Sequence, residues 1–122
     1  MEFFMCLFCK IVNKELPSNI VAENDDFLAF HDINPHAPVH ILVIPKKHTE
    51  SFHSCDTPTL AGLSEFAKDV ATTMGVDKSG YRIITNIGED GGQEVPHLHL
   101  HLLGGVKLKF GHFTDADAAN KF

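Results

Sequence analysis

Basic residues are scarce in this 122-residue chain: 10 Lys and Arg stand against 16 Asp and Glu, a formal charge of −6. The isoelectric point is near 5.8. Domains that bind nucleic acid carry a clustered basic face, so no nucleic-acid partner is expected and any phosphate ligand must be held by local donors. Cysteines number only three, too few for the disulfide framework of a small secreted domain, which points to a reducing, cytoplasmic setting. Long apolar runs are missing too. The apolar start is short, has Glu2 where a signal peptide would be basic, and lacks a small-residue cleavage site, so neither a leader nor a membrane span is expected. What is present, 43% apolar residues, is enough for a single core, and no second domain is needed.

The spacing of Leu7, Phe8, Ile11 and Val12 predicts a short helix over 7–16, stopped by Pro17, Ser18 and Asn19. Ile20 to Ile33 reads as a hairpin turning at Asn24-Asp25-Asp26. After a proline-bounded loop, the β-branched run Val39 to Pro45 suits a central strand. The clearest helix follows, with Asp56 or Thr57 as cap and Pro58 in its first turn. Leu60, Leu63, Phe66, Ala67, Val70 and Met74 share one face, and Gly75 ends it. Tyr81 to Ile87 is a further strand, Gly88 to Glu94 a polar glycine-rich loop, and a histidine-bearing strand comes last. This order fits an α+β antiparallel sheet better than alternating βαβ units. The tail from Val106 onward has weak periodicity and is expected to be partly mobile.

From Val95 to Gly105, His97, His99 and His101 alternate with Leu98, Leu100 and Leu102. Such alternation is the signature of a half-buried strand, which sets the leucines toward the core and the imidazoles together on the other face. Three chemistries compete for that face. It can be the solvated side of an edge strand. It can be a metal centre, since two histidines two apart on a strand can share one ion. It can also be a nucleophilic site at phosphorus, in which a neutral imidazole attacks and its neighbours orient it.

The loop before the strand favours the third chemistry, because Gly88, Gly91 and Gly92 allow N–H groups to point at an anion. An ordinary tight connection would have the same composition. His40 and His48 bracket the run of apolar residues in the preceding strand and could add imidazoles to the cluster or be surface residues. Asp32 ends a strand beside the proline-bounded loop, where a carboxylate can accept two ribose hydroxyls or simply form a turn.

Together these residues resemble the histidine triad (HIT) family, whose His-x-His-x-His motif followed by apolar residues appears here as His97 to Leu103. The stretches 7–48 and 80–105 are similar to its nucleotide-binding, Hint-like branch, so that residues 1–105 form the HIT domain and 106–122 a C-terminal tail. The resemblance implies a HIT-like α+β fold: a five-stranded antiparallel sheet with one long and one short helix, continued across a homodimer. The helix Thr57 to Met74 and the strand Tyr81 to Ile87 would form the interface.

The activity implied is hydrolysis of purine nucleoside 5'-phosphoramidates, as by an adenosine 5'-monophosphoramidase, through a nucleotidyl-histidine intermediate. His99 corresponds to the nucleophile, with His97 and His101 flanking it and His40 as a buried supporting histidine. Asp32 matches the ribose-binding acid and Ile33 follows it. Leu7, Phe8, Ile11, Leu16 and Leu42 match the apolar base pocket, while Asn86, Gly92, Gln93 and the backbone of Glu94 fall at phosphate-contacting positions. A dinucleoside polyphosphate hydrolase or nucleotidyl transferase is the alternative enzyme, and a nucleotide-sensing scaffold with little turnover the alternative of another class.

Two positions depart from the pattern. Glu94 stands where some members of the branch have Ser near the leaving group, and the tail after Gly105 differs from a short C-terminus that reaches the partner's site. Members with Cys-x-x-Cys at the domain start hold a structural zinc. The resemblance assigns that site to Cys6, Cys9, His48 and His97, a donor set suited to closed tetrahedral Zn²⁺, with no cofactor required for the chemical step. A redox pair and two buried thiols are the other readings of Cys6 and Cys9. Cys55 is expected to lie outside the site.

Overall fold

The computed structural model describes residues 6–109. In chain order they form α1 (Leu7–Val12), β1 (Ile20–Glu23), β2 (Phe27–His31), β3 (Val39–Pro45), α2 (Thr57–Thr73), β4 (Tyr81–Ile84) and β5 (Leu100–Gly104). The strands make one antiparallel sheet in the order β1-β2-β3-β5-β4, the five-stranded architecture that the family resemblance implies. The expectation for the tail falls largely on 110–122, outside the described residues. No helix of the described residues is long and apolar enough to cross a membrane.

Each face of the sheet is covered by one helix, and the alternation along β2 shows how. Phe27 and Ala29 join the core under α2 with Leu63, Phe66, Ala67 and Val70. Leu28 and Phe30 join a second core with Phe8 and Ile11 of α1, Leu42 and Ile44. Each fully buried side chain of this size stabilises the fold by about 1.5–3 kcal/mol. The Asn24 side chain closes the hairpin by accepting from the Asp26 and Phe27 amides at 2.9 and 2.8 Å. Asp56 caps α2 by accepting from the Thr59 amide at 2.8 Å.

Two elements are shorter than the sequence pattern suggests. Helix α1 stops at Val12 because Lys14 takes a left-handed φ of 64° and the Glu15 amide turns back to the Lys10 carbonyl at 2.8 Å. Strand β4 stops at Ile84 because its partner begins only at Leu100, paired from Ile84↔His101 to Tyr81↔Gly104. Beyond it, the Thr85 hydroxyl donates to the His99 carbonyl at 2.9 Å.

Candidate functional site

Of the three alternating histidines, only His101 lies within β5. His97 and Leu98 precede the strand, their amides bonded to the Val95 and Thr49 carbonyls at 2.8 and 2.7 Å. The alternation of side chains nevertheless persists, with Leu98, Leu100 and Leu102 in the core under α2. His97 is 0% exposed and His99 7%, so the reading of a solvated edge-strand face fails. The cover is α1. The Phe8 ring meets His99 edge-on at 5.1 Å between centroids, His97 at 5.9 Å and Phe30 at 5.7 Å.

Hydrogen bonds to groups of fixed polarity settle the ring tautomers. A carbonyl only accepts, so Nδ1 of His99 donates to the His97 carbonyl at 2.7 Å, and the His99 Nε2 lone pair is left for chemistry. A peptide amide only donates, so Nδ1 of His40 accepts from His36 N–H at 3.0 Å. His40 then carries its proton on Nε2 and donates to Nδ1 of His101 at 2.9 Å. His101 is thereby left with a proton on its own Nε2. The centroids of the His99 and His101 rings are 5.1 Å apart, so a bare nitrogen and an N–H donor occur side by side. Burial is the main cause that pushes His101 down to about 4, with His99 and His40 beside it adding to the effect. Burial likewise lowers His40, against the charge of Asp32, whose Oδ2 lies 3.4 Å from His40 Nε2.

Beside this row opens a cleft of about 640 Å³. Leu7, Phe8, Ile11, Leu16 and Leu42, read from the sequence as base-pocket residues, all line it, as do Asp32, Ile33 and Glu94. Phe30 is a wall residue that the sequence reading missed, although the alternation in Phe27 to His31 puts it on the Leu28 face. Ile33 is 91% exposed, an apolar rim with no protein cover of its own. Asp32 uses Oδ1 to accept from the Asn34 amide at 2.8 Å, an Asx turn that aims the carboxylate.

Glu94 also borders a second cleft, of about 450 Å³, shared with Glu50, Glu89, Gly92 and Gln93. Gly88 and Gly92 have φ of 71° and 78°, which only glycine adopts without strain. Asn86, half-buried, stands between Thr85 and this loop. The Gln93 side chain is committed to the loop itself: Oε1 accepts from the Gly88 amide at 2.9 Å, and Nε2 donates to the Glu50 and Val95 carbonyls at 2.6 and 3.0 Å. Of the loop positions expected at phosphate, Gln93 thus serves as a brace, and the Gly92 and Gln93 amides are themselves spent on the Glu89 and Gly88 carbonyls at 3.0 Å each, a correction to their expected role as phosphate donors.

On the far side of Phe8, Cys6, Cys9, His48 and His97 converge, their donor atoms all within 4.8 Å of one another. Cys6 Sγ is 3.4 Å from His97 Nδ1, Cys9 Sγ 3.6 Å from the same atom, and Cys9 Sγ 3.2 Å from His48 Nδ1. Tetrahedral zinc with Zn–S of about 2.3 Å and Zn–N of about 2.0–2.1 Å implies sulfur-to-nitrogen separations of about 3.5–3.6 Å, so the residues fit such an ion. His97 donates from Nε2 to the Pro45 carbonyl at 2.8 Å, which leaves Nδ1 unprotonated and aimed at the sulfurs, the usual outer support of a metal-binding histidine. Burial pushes the Cys9 thiol up to about 12, with Cys6 reinforcing it, and His97 down to about 4. A bound cation would reverse the first and suit the second. Cys55 is buried in the core under α2, away from this group.

The HIT domain family model matches residues 13–108, a range that begins after Cys9. An uncharacterised HIT-like protein of Helicobacter pylori is 43% identical over 103 residues, 84% of this chain and 99% of that protein. A histidine triad protein from Clostridium difficile superposes with a TM-score of 0.85 at 46% identity, covering 92% of this chain and 100% of that one. A HIT family hydrolase from Legionella pneumophila does so with a TM-score of 0.82 at 44% identity, covering 86% and 96%. With the buried histidine row, the sheet that carries it and these likenesses together, the chain belongs to the histidine triad family.

Proposed function

We propose that the protein binds a purine nucleotide in the cleft beside α1 and hydrolyses the P–N bond of purine nucleoside 5'-phosphoramidates. Family membership and the Legionella hydrolase support hydrolysis and nucleotide binding in general. The observation that carries the finer reading is the His99 tautomer, with Nδ1 held by the His97 carbonyl at 2.7 Å and an unprotonated Nε2 beside the N–H of His101. That is the pairing an in-line attack at phosphorus needs: an aimed lone pair and a donor for the oxygen that gains charge.

In the first step His99 Nε2 forms a bond to the α-phosphorus while the P–N bond to the leaving group breaks, and the leaving nitrogen takes up a proton from solvent at the open cleft and departs as the amine. In the second step water attacks the same phosphorus and gives up a proton to solvent, the P–Nε2 bond breaks with its electron pair returning to His99, and the nucleoside monophosphate leaves. His101 and the Glu94 amide hold the nonbridging oxygens through charge-assisted hydrogen bonds. Asp32 accepts from the ribose hydroxyls, and Leu7, Phe8, Ile11, Leu16 and Leu42 enclose the base. Cys6, Cys9, His48 and His97 would hold a structural zinc, which supplies cross-linking between α1 and the catalytic segment and takes no part in the reaction. A homodimer joined through α2 and β4 completes the reading, supported by the exposed Ile83, Ile84 and Ile87.

Mixing the protein with adenosine 5'-phosphoramidate and quenching rapidly should give an intact mass raised by one adenylyl group. The His99→Ala protein should show no adduct and no amine release while still binding AMP. Unimpaired turnover in His99→Ala would overturn the covalent route.

A further inference from the structure

Helix α1 is six residues long, and isolated helices shorter than about 12–15 residues are marginal in water. Its position therefore depends on what it is attached to. One attachment is apolar: Phe8 and Ile11 pack on Leu28, Phe30, Leu42 and Ile44. The other is polar. Cys6, the N-cap, and Cys9, one turn later, meet the His97 and His48 rings at 3.2–3.6 Å. Leu7, Phe8 and Ile11, interleaved with those cysteines, form one wall of the 640 Å³ cleft. The same helix thus carries half of a metal-type donor set and one wall of the nucleotide cleft.

We propose that Cys6 and Cys9 are positioning residues for the nucleobase. By sharing a divalent metal such as zinc with His48 and His97, they fix α1 and its wall of the cleft, so metal occupancy sets nucleotide affinity. The proposal rests on the nucleotide reading of the cleft. Linkage makes the effect reciprocal: a nucleotide that binds the metal-loaded form more tightly must tighten the metal by the same factor. The coupling works through the base and not the phosphate, because α1 walls the apolar cleft while the phosphate faces His99 and His101. The hydrogen bond that aims His99 is largely spared, since the His97 ring and amide are held by the Pro45 and Val95 carbonyls at 2.8 Å each, and what His99 loses is the Phe8 ring against it. Loss of metal therefore raises KM more than it lowers kcat.

The test measures zinc affinity by competition with a chromophoric chelator, alone, with saturating AMP and with ribose 5-phosphate, which lacks a base. AMP should tighten zinc by about tenfold, within the usual range of allosteric coupling, and ribose 5-phosphate should leave it unchanged. Cobalt in place of zinc gives a second readout, as AMP should shift the thiolate-to-cobalt absorption bands and ribose 5-phosphate should not. Both use the loaded, folded protein, so instability of a metal-free chain or of Cys9→Ser does not blunt them. AMP that binds without altering zinc affinity or the cobalt bands overturns the coupling alone. Absence of AMP binding to the loaded protein overturns the nucleotide reading beneath it, and equal tightening by ribose 5-phosphate overturns the route through α1.

Discussion

At the scale of single residues, the site is a problem of where protons sit. Burial holds His101 at about 4 and His40 below its ordinary value, with Asp32 pulling both upward and His36 pushing both downward. Between about 4 and the ordinary imidazole value near 6.5, the unfolded chain binds protons that the folded one does not. Folding stability is therefore fully present above about pH 6.5 and drains away as the pH falls toward 4. Calorimetric melting should show Tm falling through that window, and His101→Gln should fall less steeply than the native chain. A flat Tm down to pH 4.5 would contradict this account. The histidine alternation was legible in the sequence. The burial of His97 was not, because its cover comes from α1, some ninety residues earlier in the chain, and no local pattern encodes that contact.

Among the elements, β3 and α2 matched their sequence patterns. Strand β3 runs from Val39 to Pro45 and α2 from the Asp56 cap, as read, since proline and a capping carboxylate act through neighbouring atoms. The ends of α1 and β4 were misjudged for two reasons. Lysine gives no sign in sequence that it will adopt a left-handed φ, and β4 ends where its partner does. The conformation of Lys14 has a measurable consequence. A non-glycine residue there is strained by roughly 1 kcal/mol, whereas its exposed ion pair with Glu23, at 3.2 Å, contributes little. Lys14→Gly should therefore raise stability by up to about 0.5 kcal/mol in urea titration after the added flexibility of the unfolded chain is subtracted, and a lowered midpoint would refute the strain.

For the whole molecule, the two edges of the sheet are unlike. The β1 edge carries Glu23, held by Lys14 and by Lys46 at 2.7 Å, and charges of this kind discourage strand pairing. The β4 edge carries Ile83 and Ile84, 43% and 36% exposed, and has no comparable guard in the ion pairs of the described residues. A homodimer should thus form through β4 and not β1. Ile83→Glu should weaken the dimer by tenfold or more in sedimentation equilibrium, given about 1.5–3 kcal/mol for burial of such a side chain and about 1.4 kcal/mol per decade. A native chain that sediments as a monomer at micromolar concentration would remove the basis for that assembly.

The row from the His36 amide through His40 to His101 has one more consequence. Water wires and imidazole chains conduct protons only when every link can both receive and release one, with a terminal acid to recharge the line. This line ends in a peptide N–H, bonded to His40 Nδ1 at 3.0 Å, which does not give up its proton at any pH the fold survives. The arrangement is a dead end for proton conduction from that side. It holds the donor on His101 in a fixed direction, and any proton exchanged during turnover has to arrive through the open face of the cleft.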